Sequence, residues 1–222
     1  MGYLKKYHNL GITFDLHKKL WAFYVDADWA GDSQTRKSTT GFIIQFMGGP
    51  LITKSVRQRI VTTSSTEAEY CAFTDILKEI KWVRKLCKFL DIEFPTPAPV
   101  FNDNLTAQNL ATGQAQVKRT KHIDVRYHFI KEAVKMNIVE LIHIPRADNI
   151  ADLFTHPTTR QIHKQMRHQV MNLDASVNDE STKEHMMEHM MLFCKHYVSK
   201  MNNHQLNLIE NINDQLSNLQ LN

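Results

Sequence analysis

The sequence predicts an α/β fold: a mixed, five-stranded sheet flanked by helices, followed by a helical C-terminal extension. Three observations carry that reading. Short apolar runs alternate with amphipathic stretches in the order β-β-β-α-β-α-α-β-α, which suits a mixed sheet with helices on its faces. One stretch, opening near Glu67, repeats apolar side chains at spacings of three and four. From about Pro157 the composition changes: glycine and proline vanish, and Met, His, Asn and Gln take over.

Taken in order, residues 1–18 read as a short helix, "YLKKYHNL", and a turn at Gly11. Strands are expected at 20–26, 40–47 and 51–55, with "GGP" (48–50) turning the last two into a hairpin. The Ser and Thr residues before Glu67 offer an N-cap. The helix they open carries Tyr70, Phe73, Ile76, Leu77, Ile80, Val83, Leu86 and Leu90 on one stripe, and "FPTPAP" breaks it. A short strand "VFND" (100–103) leads to a helix from Leu105 to Ala111. The polar, basic loop "GQAQVKRTKH" then precedes the helical "IDVRYHFIKEAVKMN". "IVELIHI" (138–144) is a strand, and "ADNIADLFT" (147–155) begins another helix. The tail reads as two or three helices outside the main domain, with a weak heptad in "LNLIENINDQLSNLQL" that offers a route to self-association. The domain boundaries expected are 1–18, 19–157 and 158–222.

Composition excludes several classes. The chain has 222 residues, 42% hydrophobic and 23% charged, enough apolar material for a sizeable core. No run of about 18 apolar residues exists, so no membrane helix is expected. The N-terminus lacks the apolar block of a secretion signal, and Lys6 stands where a myristoylation motif wants Ser or Thr. Cys71, Cys87 and Cys194 are scattered and form no CxxC pair, which points to a reducing, intracellular setting, cytoplasm or nucleus. The net charge of +4 and pI near 8.9 are compatible with a nucleic-acid partner.

The acids are the chemical signal. Asp26 and Asp28 end the first strand on one face, Glu67 and Glu69 open the long helix, and Asp103 ends "VFND". Asp148 and Asp152 open the last helix of the main domain. In an open α/β sheet, strand ends and helix N-termini gather at one edge. Any one acid in a first helical turn is explained by the helix dipole. Several converging carboxylates repel and raise one another's pKa, and divalent cations relieve that repulsion. Hard oxygen ligands favour Mg²⁺ or Mn²⁺, and two such ions suit in-line phosphoryl transfer.

Five segments, in this order, closely resemble the ribonuclease H domain of copia-type LTR-retrotransposon Pol polyproteins: "YVDADWAGDSQTRKSTTGFIIQFMGG", "TTSSTEAEYCAF", "FNDNLTAQNLA", "RTKHIDVRYHFIKE" and "ADNIADLFT". The stretch "GYLKKYHNLGITF" resembles the end of the reverse-transcriptase connection. The resemblance covers roughly residues 1–160. It implies a ribonuclease H fold and Mg²⁺-dependent (or Mn²⁺-dependent) endonucleolytic cleavage, by two ions, of the RNA strand of RNA–DNA hybrids, leaving a 3′-hydroxyl. Residue by residue, it makes Asp26 the metal-bridging acid, Glu69 in "E-Y-C-A" the helix ligand, Asp103 the third acid and Asp152 the fourth, with Asn149 at the expected spacing before it. Asp28 is then secondary, Glu67 a helix-terminus acid, Asp148 a helix cap and His143 a plain strand residue. "THP" (155–157) stands where the family has "TKP". The resemblance also makes the chain a fragment of a polyprotein, with Met1 inside the connection and the reverse-transcriptase region absent. A catalytically inactive relic that binds nucleic acid or protein is the alternative.

Basic residues supply candidate phosphate contacts: Lys118, Arg119, Lys121 and Arg126 in "KRTKHIDVR", and Arg36 and Lys37 with Ser38 or Thr39 in "TRKSTTG". A solvated loop is the plain alternative. Trp21, Trp29 and Trp82 read as packing residues, with Trp29 placed to stack on a sugar or base. His185 and His189 have metal-ligand spacing, but a Met-rich amphipathic helix explains them better.

Overall fold

In the computed structural model, residues 5–15, 17–111 and 121–173 are described. The sheet lies in one compact unit, Met1–Lys81 with Pro95–Asp174, while Trp82–Phe94 falls to a second. The strands are β1 (Trp21–Asp28), β2 (Thr39–Phe46), β3 (Gly49–Arg57), β4 (Ala98–Asn102) and β5 (Val139–His143). The helices are α1 (Ser65–Leu90), α2 (Leu105–Ala111), α3 (Lys121–Lys135) and α4 (Arg160–Met171). Strand order is β3-β2-β1-β4-β5. β1, β2 and β3 are antiparallel, and β4 lies parallel to both β1 and β5. This is the mixed five-stranded sheet that the sequence predicts.

The two halves of the sheet follow from their connections. Two residues join β2 to β3, so they must be antiparallel; the long α1 lies between β3 and β4, as a parallel return requires. The hairpin turn differs from expectation. It is Met47–Gly48, both at positive φ (50° and 77°), and Gly49 and Pro50 already belong to β3. A two-residue turn matching the strand twist needs left-handed backbone at both positions. Met47 is held there by bonds on both sides, its N–H to Leu20 O (2.9 Å) and its carbonyl accepting from Asp15 N–H (2.8 Å). Pro50, which cannot donate, is tolerated because β3 is an edge strand.

Side-chain alternation gives the sheet two faces. Phe23, Val25, Phe42 and Ile44 are fully buried on one. The α1 stripe is buried at Tyr70, Phe73, Ile76, Leu77 and Ile80 as the periodicity predicts, but Leu86 is exposed. Burial of five such side chains contributes on the order of 10 kcal/mol. On the opposite face, Ile43 joins Ile150 and Val170, with Tyr24, Leu153, Phe154 and Met171 packed around them. Val170 belongs to α4, so the first helix of the Met- and His-rich region packs onto the sheet. Thr159 caps α4 by accepting from Ile162 N–H, and Asn172 ends it in the left-handed conformation.

Other expectations need correction. The helix expected to begin within 147–155 is two 3-10 turns, Arg146–Asp148 and Ile150–Phe154. Asn149 sits between them in extended backbone, and its side chain caps the second. Trp21 packs, stacked on Phe23 with centroids 6.0 Å apart, but Trp82 is exposed. In the second unit, Asp91 takes a positive φ just beyond α1, and Arg84 lies 5.5 Å from the ring centre of Phe94. Cys194, the heptad and the His185–His189 pair lie outside the described residues. No described helix is long and apolar enough to cross a membrane.

Candidate metal centre

The site grows from the junction of β1 and β4. Their parallel register pairs Phe23 with Val100 and Tyr24 with Phe101. One further step puts Val25 beside Asn102, and the next puts Asp26 beside Asp103 at the carboxyl ends of adjacent strands. Two asparagines lock this junction. Asn102 Nδ2 donates to Val25 O (3.0 Å) and to Glu69 Oε2 (3.1 Å). Asn149 Nδ2 donates to the same carbonyl (3.0 Å) and to Asp103 Oδ1 (3.1 Å). Both asparagines are fully buried. The first ties the helix acid to the sheet, and the second ties the 3-10 segment to it.

Asp152 arrives from the other face. Asn149 Oδ1 accepts from Ala151 N–H and opens the turn, burying Ile150 and Ala151 so that Asp152 falls in its first residues. Thr155, one turn on, donates its hydroxyl to Asp26 Oδ2 (2.6 Å). That approach needs Gly41, the cross-strand partner of Asp26. A Cβ there would lie 2.6 Å from Thr155 Cγ2 and 2.9 Å from both Ala151 O and Phe154 Cβ.

Two ligand groups result, each with donor atoms within 4.8 Å of one another: Asp26, Glu69 and Asp103, and Asp26, Asp152 and His156. Asp26 belongs to both. All four acids named from the sequence are therefore drawn into one connected cluster. Asp28 is in neither group; its carboxylate lies over Gly31, where a Cβ would sit 1.6 Å from Oδ2. Glu67 caps α1, accepting from Thr63 N–H (2.6 Å) and the Thr63 hydroxyl, while its own N–H donates to Ser64 Oγ. Asp148 is exposed, and Asn149 performs the capping expected of it.

The electrostatics are those of an anionic site compensated only at Asp152, by Arg146. Burial raises the Asp26 carboxyl to about 6, with Asp103 and Asp152 adding to the rise and the Thr155 hydrogen bond opposing it. Burial also pushes Glu69 well above the usual carboxylate range, reinforced by Asp26 and Asp103 against the hydrogen bonds from Asn102 and Asn104. Arg146 pairs with Asp152 (3.2 Å), which raises the guanidinium, and His156 Nε2 lies 3.3 Å from Asp152 Oδ2. Buried carboxylates that repel one another, with hard oxygens converging, fit a divalent cation such as Mg²⁺ or Mn²⁺; the imidazole of the second group is a ligand more usual for softer transition metals.

No family model matches the chain. Over 158 residues, 71% of the chain, it is 35% identical to the "Retrovirus-related Pol polyprotein from transposon RE2" and equally to that from transposon RE1, both of Arabidopsis thaliana. It is 39% identical over 137 residues, 62% of the chain, to the corresponding polyprotein of transposon TNT 1-94 of Nicotiana tabacum. This chain is a homologue of retrotransposon Pol polyproteins. It spans about a tenth of the length of these relatives. Solved structures similar to it include LC11-RNase H1 from a compost metagenome, 22% identical with a TM-score of 0.47 over 60% of this chain and 90% of that one. Another is RNase H1 of Halobacterium salinarum, 15% identical with a TM-score of 0.44 over 61% and 93%.

In this Pol homologue, the remaining sequence-derived candidates are placed as follows. Arg36 is exposed at positive φ, closing a turn in which its N–H donates to Asp32 O (2.7 Å), and Lys37 is half-buried beside it. Ser38 is fully buried, its Oγ accepting from Ala30 N–H and lying 2.8 Å from the Thr62 hydroxyl, so it braces the loop from within. Lys118 and Arg119 lie outside the described residues. Lys121 begins α3, and its side chain lies outside them too. Arg126 donates to Cys71 Sγ (2.8 Å). Trp29 is 49% exposed, with its indole N–H bonded to Thr62 O. Sequence reasoning assigned no role at the site to Asn102, Arg146, Thr155 or His156. The last two follow Asp152 by three and four residues, a spacing that a single helical turn brings together.

Proposed function

We propose that the chain is a divalent-metal-dependent ribonuclease that cleaves the RNA strand of RNA–DNA hybrids, the activity implied by its resemblance to the ribonuclease H domain of Pol polyproteins. The observation that carries this reading is Asp26, one buried carboxylate shared by two ligand groups at the end of a parallel strand pair. Cations bound there would lower the pKa of a water and neutralise charge on the leaving 3′-oxygen.

The chain's own residues then divide the work. Asp26 bridges the two groups, and Thr155 fixes its rotamer through the hydroxyl bond. Glu69 and Asp103 complete one group, each oriented by an asparagine. Asp152 and His156 complete the other, with Arg146 holding Asp152. The Trp29 indole face offers a stacking surface for a sugar or base.

The test is incubation of the chain with an RNA–DNA hybrid labelled on the RNA strand, in Mg²⁺ and then Mn²⁺, beside Asp26→Asn. RNA-strand products with 3′-hydroxyl ends, lost in the variant, are the expected result. A folded protein that leaves the hybrid intact in both metals would overturn the reading.

A further inference from the structure

A second surface of the same unit carries the opposite charge. A groove of about 520 Å³ runs between β3, α1 and α3. Lys54, Arg57, Arg59, Lys78 and Arg126 line it, against a single lining carboxylate, Asp75. Neighbouring acids offset part of that charge. Lys54 lies 3.9 Å from Glu79, Arg57 pairs with Asp32 at 2.9 Å, and Lys78 lies 3.6 Å from Asp75. Two guanidiniums are left over. Arg59 is exposed and pairs with nothing among the described residues. Arg126 meets no described carboxylate; it donates to Cys71 Sγ, a thiol that burial pushes up to about 11 and so keeps neutral.

The groove is built on a fixed floor. Gln58 is buried and donates to Thr40 Oγ1 (3.0 Å) and to Ala68 O (2.9 Å), clamping the end of β3 to β2 and α1. Lys54 and Arg57 stand on β3, Lys78 on α1 and Arg126 on α3, and Arg59 follows the clamped Gln58 directly. Guanidiniums without carboxylate partners suit phosphate oxygens, which they bind bidentately.

We propose that this groove is a second nucleic-acid contact, in which Arg59 and Arg126 grip the phosphodiester backbone outside the acid cluster. The identity of the anion rests on the hybrid-ribonuclease reading; the groove's affinity for phosphate does not. Lys54, Arg57 and Lys78 add a positive field around the two arginines. The contact is indifferent to base sequence and falls with salt, because it acts on the backbone alone.

The test is fluorescence anisotropy of the full chain with a labelled RNA–DNA hybrid in chelator, so that binding is read without cleavage. Each lost phosphate contact reduces the slope of log affinity against log salt by about one. Arg59→Ala is expected to reduce it by about one, and Arg59→Ala with Arg126→Ala by about two, with roughly tenfold weaker binding in low salt. Lys135→Ala, an exposed cation outside the groove, controls for net charge and is expected to leave the slope unchanged. Arg59 has no described partner to lose, so its variant stays informative if the double variant misfolds. Slopes equal to wild type, or an equal loss in Lys135→Ala, would overturn the proposal and leave the groove as a face for protein. Groove-dependent binding without cleavage in Mg²⁺ or Mn²⁺ would sustain this inference while removing the hydrolytic one.

Discussion

The acid cluster and the basic groove are two charged regions built on opposite plans. In the cluster, like charges converge with Asp26, Glu69 and Asp152 buried; neutral amides and a hydroxyl hold three of the acids, and Arg146 pairs with Asp152. In the groove, cations stand nearer the surface with partial acid partners, over a buried floor of neutral side chains, Gln58, Cys71 and Thr74. Burying a carboxylate among carboxylates costs stability, and nothing in packing requires it. Surface cations cost almost nothing and contribute little to folding. The cluster should therefore show opposed effects of mutation on stability and activity, whereas the groove should show an effect on binding alone.

The largest expected effect breaks that opposition open at Asp26. Asp26→Asn should abolish hybrid cleavage, by about 10³-fold or more, while raising the melting temperature of the metal-free protein by several degrees. A variant that lost both activity and stability would show that Asp26 is held for the fold. Gly41→Ala is expected to do that: its Cβ meets main-chain and side-chain atoms of the 3-10 segment at 2.6–2.9 Å. It should destabilise by about 1–3 kcal/mol and, by shifting Thr155, reduce cleavage about 100-fold, read by calorimetry and single-turnover kinetics.

Asn149→Ala tests the neutral scaffold. It removes donors to Val25 O and Asp103 together with a cap, for an expected loss of about 1–3 kcal/mol and about 10–100-fold in metal affinity. An unchanged denaturation midpoint would count against the asparagine lock.

A pH series sharpens the comparison further. Folded Asp26 holds its proton up to about 6, against 3.8 for the free group. Its stabilising contribution is complete below about 3.8 and is lost as pH rises through about 6, a change of about 3 kcal/mol. Glu69 shifts in the same direction. Metal-free wild type should lose stability relative to Asp26→Asn between pH 4 and pH 7, and millimolar Mg²⁺ should restore it most at the higher pH. The smallest expected effect belongs to the groove: Arg59→Ala should leave the unfolding free energy within about 0.5 kcal/mol of wild type.

Much of this was legible in the sequence because it rests on local pattern. The α1 stripe and the Leu105–Ala111 helix have periods that survive folding, and the acids sit at element ends that topology gathers. Glu67 and Glu69 could be told apart by resemblance, and the capping bonds give the physical reason. What was hidden depends on partners distant in sequence. Nothing near Gly41 announces that residue 155 must pass over it, and nothing near Asn102 announces a bond to Glu69. The turn at Met47–Gly48 was misplaced because a left-handed methionine is disfavoured on its own and is stabilised here by Leu20 and Asp15. The Ile150–Phe154 segment reads as a helix start by composition, yet Asn149 bonds outward to two strands as well as to Ala151, and the segment is 3-10.

The carbonyl of Val25 receives both asparagines, one from each side of the site. A carbonyl is the one kind of contact that point mutation cannot delete. The position of the whole cluster is thus referenced to an atom outside the reach of the genetic code, and position 25 is free to drift among apolar residues of similar volume. At this junction, the two donors are what a mutation can remove. A copy of this gene can therefore lose its geometry through Asn102 or Asn149 with all four acids still spelled out in its sequence.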